Sequence, residues 1–248
     1  MPSIFIPDRG IINIYHFLIY MISPLRHITF IPDTIYIDLH LTYFNNHHNF
    51  PMELLKMIYP NSVIHNVKQC PEHCILVPQD PDPINRESGV CKEAYIFLQE
   101  ILLKCLEGYK PLNTYSEYIY ISRLRDSYKR KVLNEDILIH RDEFKHFQVV
   151  TMSSLPLMEQ LYIFHKAKVI ITSHGAALVN ILACNKECKI IEIATEKMSN
   201  LKHFEDIAMT LNLNYTKFLD VTEINSHHDL YEANMLLNAD SIYKLFII

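Results

Sequence analysis

Tryptophan is absent from this 248-residue chain, and glycine occurs only 4 times. Four isolated glycines leave no G-x-G-x-x-G loop to cradle a phosphate. An excess of either charge is lacking too, with 23 Lys and Arg against 28 Asp and Glu. That near balance gives no electrostatic footprint for nucleic acid, and no polybasic run marks a membrane surface. The most apolar run, Ile11 to Ile22, is too short to cross a bilayer and contains Asn13 and His16. It also lacks a basic leading region and a small-residue cleavage site, so a soluble chain without a transmembrane segment is expected.

Six cysteines stand at positions 70, 74, 91, 105, 184 and 188. Two pairs have the form C-x-x-x-C, in "CPEHC" and "CNKEC". Zinc sites more often use two intervening residues, and the pairs lie far apart in the chain. Free thiols in a reducing compartment are therefore favoured over a four-cysteine metal site.

Hydrophobic residues make up 49% of the chain, enough for a sizeable core in one large domain or two small ones. The second half alternates in type. "EYIYIS" (117–122), "FQVVTM" (147–152), "KVIITS" (168–173), "KIIEIA" (189–194) and "NYTKFL" (214–219) read as strands. Between them, 131–144, 155–167, 176–184 and 200–212 read as helices. Strands rich in Ile and Val, alternating with helices, imply a parallel sheet covered on both faces. The first half reads as a shorter α/β unit. Its strands are expected at 34–39, 62–67 and 74–78, and its helices at 14–22, 52–58 and 91–106. Gly, Pro, Asn and Ser cluster in "GYKPLNTYS" (108–116), where a boundary is expected.

"VIITSHGAALVN" places Ser173, His174 and Gly175 where a strand hands over to a helix at Ala176. Ligands of open parallel sheets bind beyond the carboxyl ends of the strands. A helix start there offers free N–H groups and a positive dipole end to an anion, and Gly175 removes the Cβ that would block a close approach. Arg123 follows the strand 117–122, at the same sheet edge, and Arg130 and Lys131 follow it. Arginine binds phosphate oxygens bidentately and keeps its charge. Glu192 lies inside an apolar strand, where a carboxylate needs a partner. It either serves the site or faces water from an edge strand.

Five blocks, "ISR" (121–123), "RKVLNE" (130–135), "MEQL" (158–161), "ITSHGAALVN" (171–180) and "IIEI" (190–193), match in order and spacing. Together they resemble the catalytic region of family-61 glycosyltransferases, a group that includes plant xylan-modifying and animal protein O-linked GlcNAc transferases. Asn13 to Phe17 resembles that family's N-x-x-H-F segment. The resemblance implies a GT-B-like α/β fold of two Rossmann-like halves, with residues 1–112 on the acceptor side and 113–248 holding the donor. It implies an inverting transfer that needs no metal and no cofactor beyond a nucleotide-sugar co-substrate, a UDP-sugar being favoured, to a glycan or glycoprotein acceptor. Arg123 and Arg130 would hold the diphosphate, with Ser173, His174, Gly175 and Ala176 at the helix start. Asn180 would support that turn, and Glu192 would contact the ribose or order the site. Glu159 and Gln160 match their block without an assigned role. His16, or else Asp8, would take the acceptor's proton, with Asn13 beside it on the acceptor side. Relatives carry more sequence before the N-x-x-H block, so the first half is expected to be short. The chain's own lack of a signal favours the cytoplasm, whereas eukaryotic relatives work in the secretory pathway.

Two other readings stand beside this one. Asp80 and Asp82 form an Asp-x-Asp pair after an apolar run, which is how a metal-diphosphate site looks in a metal-dependent transferase. A degenerate transferase that only binds nucleotide or glycan would keep the same donor-side residues.

Overall fold

A strand buried on both faces needs a layer of helices on each, and the apolar strands of this protein form two parallel sheets. The computed structural model describes residues 2–8, 13–39, 50–79, 92–125, 129–224 and 232–245. The Asp80–Asp82 pair and Cys91 lie outside the described residues. The chain divides into two compact units, Met1–Tyr109 and Lys110–Ile248.

In the first unit, β1 (Ser3–Ile6), β2 (Thr34–Ile37), β3 (Val63–Asn66) and β4 (Ile75–Leu76) form a parallel sheet of order β3-β2-β1-β4. That is the arrangement of the first four strands of a dinucleotide-binding sheet, with its switch point between β1 and β4. Ile4, Ile6, Ile35 and Ile37 are fully buried. Strand β1 was not foreseen, because "SIFI" is short and abuts a proline. Helix α1 (Ile14–His16) runs on as π-helix over Phe17–Ile22 and as 3₁₀-helix over Ser23–His27. Pro24 explains where the ladder ends: it supplies no N–H and crowds the carbonyl four residues earlier, so the chain passes into the 3₁₀ segment. Helices α2 (Phe50–Ile58) and α3 (Lys92–Leu106) complete the unit.

In the second unit, β5 (Tyr118–Ile121), β6 (Gln148–Val150), β7 (Val169–Ser173), β8 (Lys189–Ile193) and β9 (Asn214–Phe218) form a parallel sheet of order β6-β5-β7-β8-β9. Counted within the unit this is 2-1-3-4-5, a doubly wound order whose switch point falls between β5 and β7. The register Tyr120↔Ile171↔Ile191 puts these three side chains on one face. There they join Val132, Leu138, Phe144, Met235 and Ile242 in one core. The opposite face carries Ile119, Ile170, Ile190 and Glu192. Helix α5 (Leu157–Lys166) and helix α6 (His203–Leu211) both pack on the segment 176–183.

Two expected helices turned out differently. Residues 176–183 form a 3₁₀-helix, not an α-helix. From Leu178 onward every one of its residues is buried, so packing on all sides sets its geometry rather than one apolar stripe. Residues 131–144 are not one helix. Lys131 C=O accepts from Met235 N–H at 2.7 Å, and the Asn134 side chain both accepts from and donates to the Leu237 backbone. These bonds draw 131–134 beside β11 (Asn234–Leu237), with a bridge at Val132, and β11 pairs antiparallel with β10 (Val221–Ile224). Only α4 (Glu135–Ile139) and a 3₁₀ turn, Asp142–Phe144, remain helical. The hairpin itself was not foreseen; its sequence has no short turn signal, and its pairing is seen only in space. Helix α7 (Ala239–Tyr243) follows it.

Among the described residues, Cys70, Cys74, Cys105, Cys184 and Cys188 are free thiols, and no helix is long and apolar enough to cross a membrane.

Glu135 is buried at the start of α4, where it accepts from Ser122 Oγ at 2.6 Å and Tyr120 Oη at 3.1 Å. Burial raises its carboxyl above the ordinary value of 4.5, against the pull of those two donors. A carboxyl raised on folding stabilises the fold fully below its unfolded value, and that contribution is lost as pH rises through the folded value. Glu135→Gln is neutral at every pH. The wild type's melting temperature minus the variant's should therefore fall as pH climbs from about 4. A difference that stays flat, or grows, from pH 4 to 8 in thermal denaturation refutes this.

Candidate functional site

The carboxyl ends of β5 and β7 meet at the switch point of the second sheet, and both carry residues singled out in the sequence. Strand β5 ends at Ile121, followed by buried Ser122 and then Arg123. Strand β7 ends at Ser173, which is buried and in register with Ile193 of β8. His174 and Gly175 then lead into the 3₁₀-helix that begins at Ala176.

Gly175 is extended, at φ 175°, so its backbone conformation alone does not demand glycine. Space does. A Cβ at this position would lie 1.8 Å from Arg123 Nη1 and 2.8 Å from its Cζ. The guanidinium of Arg123 therefore rests directly on the glycine, across the gap between the two strands. Leu178 N–H makes the first helical bond, to Gly175 C=O at 3.0 Å, so the amides of Ala176 and Ala177 precede the ladder.

His174 is held from behind. Its backbone N–H donates to Ile193 C=O at 2.9 Å, and its ring lies 5.2 Å from that of Phe204 on α6. Ring atom Nδ1 is hydrogen-bonded to Glu192 Oε1. The second oxygen of Glu192, Oε2, accepts from the Tyr215 hydroxyl on β9. Glu192 is 1% exposed on an inner strand, and both of its oxygens are engaged by protein groups. Burial, and then the neighbouring Glu192, push the Tyr215 phenol up, so it remains a donor across the working range of pH. Lys217 is in register with Glu192, yet its ammonium turns to the carbonyls of Ser199 and Leu201, at 3.3 and 2.6 Å.

The remaining residues assigned from sequence to the second half's site lie deeper or on other segments. Asn180 is fully buried and donates to Gln160 Oε1 at 3.2 Å. Gln160 in turn donates to the carbonyls of Met152 and Leu155, at 3.0 and 2.9 Å. Buried Glu159 accepts from Leu112 N–H at 2.6 Å. These three brace the α5 side of the site. Arg130 has φ 57° and is fixed by its backbone to Glu232 C=O at 3.4 Å, on the strip that joins β11. The structure thus brings Arg123 onto Gly175 and His174 onto Glu192, and holds the Arg130 backbone beside the strip that leads into β11.

In the first unit, Asp8 lies two residues past the end of β1, at that sheet's own switch point. Asn13 caps α1, its Oδ1 accepting from His16 N–H at 3.2 Å. His16 stands where the helix passes into its π-turns, and its ring lies 5.5 Å from Tyr20. π-turns recur at functional sites.

Sequence reasoning missed Tyr215 and gave no role to Glu135. Glu135 ends the "RKVLNE" block, and its burial could have been suspected from that. Tyr215 had no signal, because only the alignment of β8 with β9 brings it to Glu192.

A family model described as Glycosyltransferase 61 matches residues 14–191. The match spans well over half of the chain, takes in His16, Arg123, Arg130 and the 173–180 turn, and stops one residue before Glu192. No curated protein matches the chain.

Gly175→Ala should leave the fold intact and displace only the Arg123 guanidinium, the far end of a flexible side chain. In NMR spectra the Arg123 Nε–Hε signal should move while the β7 and β8 amide signals stay. An unmoved Arg123 signal would show that the guanidinium does not rest on this glycine.

Proposed function

Because the chain belongs to glycosyltransferase family 61, we propose that it moves a sugar from a UDP-sugar to a hydroxyl of a glycan or protein, with inversion at the sugar and without a metal. The coarser statement, that it is a glycosyltransferase, follows from the family match.

One observation supports the donor side of this reading above the others: the Arg123 guanidinium closes on Gly175 at the β5–β7 switch point. A sugar leaving a nucleoside diphosphate throws negative charge onto the diphosphate. Fixed cations and N–H dipoles at that position lower the barrier without reorganising in the transition state. Arg123 is such a cation, and the amides of Ala176 and Ala177 are such dipoles. Arg130 is the second cation of the reading. Glu192, with both oxygens engaged, orders His174 rather than touching ribose. Asn180 supports the turn through Gln160.

On the acceptor side, an inverting transfer needs a base that takes the acceptor's proton as the hydroxyl attacks opposite the departing diphosphate. His16 has this role, with Asp8 as the alternative and Asn13 fixing the start of its helix.

Calorimetric titration with UDP and GDP tests the donor site. Arg123→Ala should weaken UDP binding by roughly tenfold or more, the usual loss for a charge-assisted contact. Equal binding by the variant removes Arg123 from the site. His16→Ala should bind UDP as the wild type does and lose transfer, with turnover indifferent to EDTA. A fully active His16→Ala enzyme assigns the base elsewhere, and turnover abolished by EDTA assigns the diphosphate to a metal.

A further inference from the structure

We propose that Tyr215 is a positioning residue of the donor site: through Glu192 it fixes His174 with a proton on Nδ1 and leaves Nε2 for the nucleotide sugar. The inference rests on the reading that the β5–β7 edge takes the donor.

The argument begins with the carboxylate. An ionised Glu192 is an acceptor only, and at 1% exposure water is not at hand to satisfy it. Two protein groups reach it, the Tyr215 hydroxyl at Oε2 and His174 Nδ1 at Oε1. A phenol meeting a carboxylate donates. The imidazole nitrogen facing the other oxygen must then also carry its proton, because a bare nitrogen would set lone pair against lone pair. Which nitrogen of a histidine is protonated is set by the bond its partner nitrogen makes. Here that bond is to a carboxylate held at its far oxygen by Tyr215. The three groups come from successive strands: His174 follows β7, Glu192 lies near the carboxyl end of β8, and Tyr215, in register with Ile190, reaches Glu192 from β9 on the same face of the sheet.

Tyr215 holds Glu192 in place by donating to Oε2. Without that bond the carboxylate is freer to rotate, and rotation releases Nδ1–H and lets the imidazole proton move to Nε2. The site would then present the wrong nitrogen to the ligand. Other charged groups of this neighbourhood are Arg123 beside Gly175, Glu205 on α6, which acts on Tyr215, and Lys217 in register with Glu192. Lys217 is committed to backbone carbonyls and does not take over the role of Tyr215.

The test uses the full chain labelled with ¹⁵N at histidine, with His174 assigned by its disappearance in His174→Gln. In the wild type, His174 should show a protonated Nδ1, and added UDP should perturb Nε2. Tyr215→Phe, which removes one oxygen, should shift His174 toward exchange between the two tautomers and weaken UDP binding by roughly tenfold, the loss expected if the binding tautomer falls to about a tenth of the population. Glu192→Gln should do the same by a second route, and amide spectra of both variants should keep the dispersion of the wild type. A wild-type His174 with its proton on Nε2 alone overturns the proposal. So does a Tyr215→Phe protein with the wild-type tautomer and the wild-type UDP affinity. If the wild type shows the Nδ1 proton but binds neither UDP nor GDP, the donor reading fails, and the positioning role fails with it.

Discussion

A carboxylate buried inside a parallel sheet is the constraint around which the carboxyl edge of the second unit's sheet is arranged. Desolvating Glu192 is unfavourable unless its oxygens find donors. The partners come from the flanking strands: His174 just past β7 and Tyr215 within β9. Meeting that need fixes the rotamer of His174, and Phe204 of α6 closes over the ring. Lys217, the nearest cation by register, is spent instead on the carbonyls that precede α6, so it pins that helix's approach. A single buried charge thus ties three strands and one helix to the residues at the sheet's edge.

The same logic appears on the other face of the sheet. Glu135 is buried against Tyr120 and Ser122, at the end of β5 that leads to Arg123. Arg123 is therefore flanked by a strand end pinned from one face and by a turn whose histidine is pinned from the other. Gly175 leaves room for the guanidinium between them. Rigid support of this kind is what electrostatic stabilisation of a leaving group requires, since dipoles that must reorganise lose most of their effect. The first unit also has a parallel sheet, of a different strand order, with Asp8 past β1 and His16 at the opening of the next helix.

Much of the second unit's fold was legible in the sequence. Strands with Ile and Val at nearly every position, alternating with helical stretches, leave few arrangements besides a doubly wound parallel sheet. What failed were pieces whose structure depends on distant partners. Residues 131–134 look helical in isolation, but Asn134 and Lys131 bond to a strand a hundred residues later. The 3₁₀-helix after Gly175 has good α-helix formers such as Ala176 and Ala177, and packing on all sides overrides them. Of the three helical forms between Ile14 and His27, the last follows from Pro24, whose local effect is hard to place in advance.

By itself the sequence determined the α/β class, the strand-to-helix turn at Ser173–Ala176 and the presence of Arg123 just past a strand, because these are local: periodicity, a glycine and an arginine next to an apolar run. Only the tertiary structure decided that Arg123 lies on Gly175, that Glu192 serves His174 rather than solvent, and that Tyr215 stands behind both. Those contacts depend on strand order and register, and neither is written in the spacing of residues along one strand.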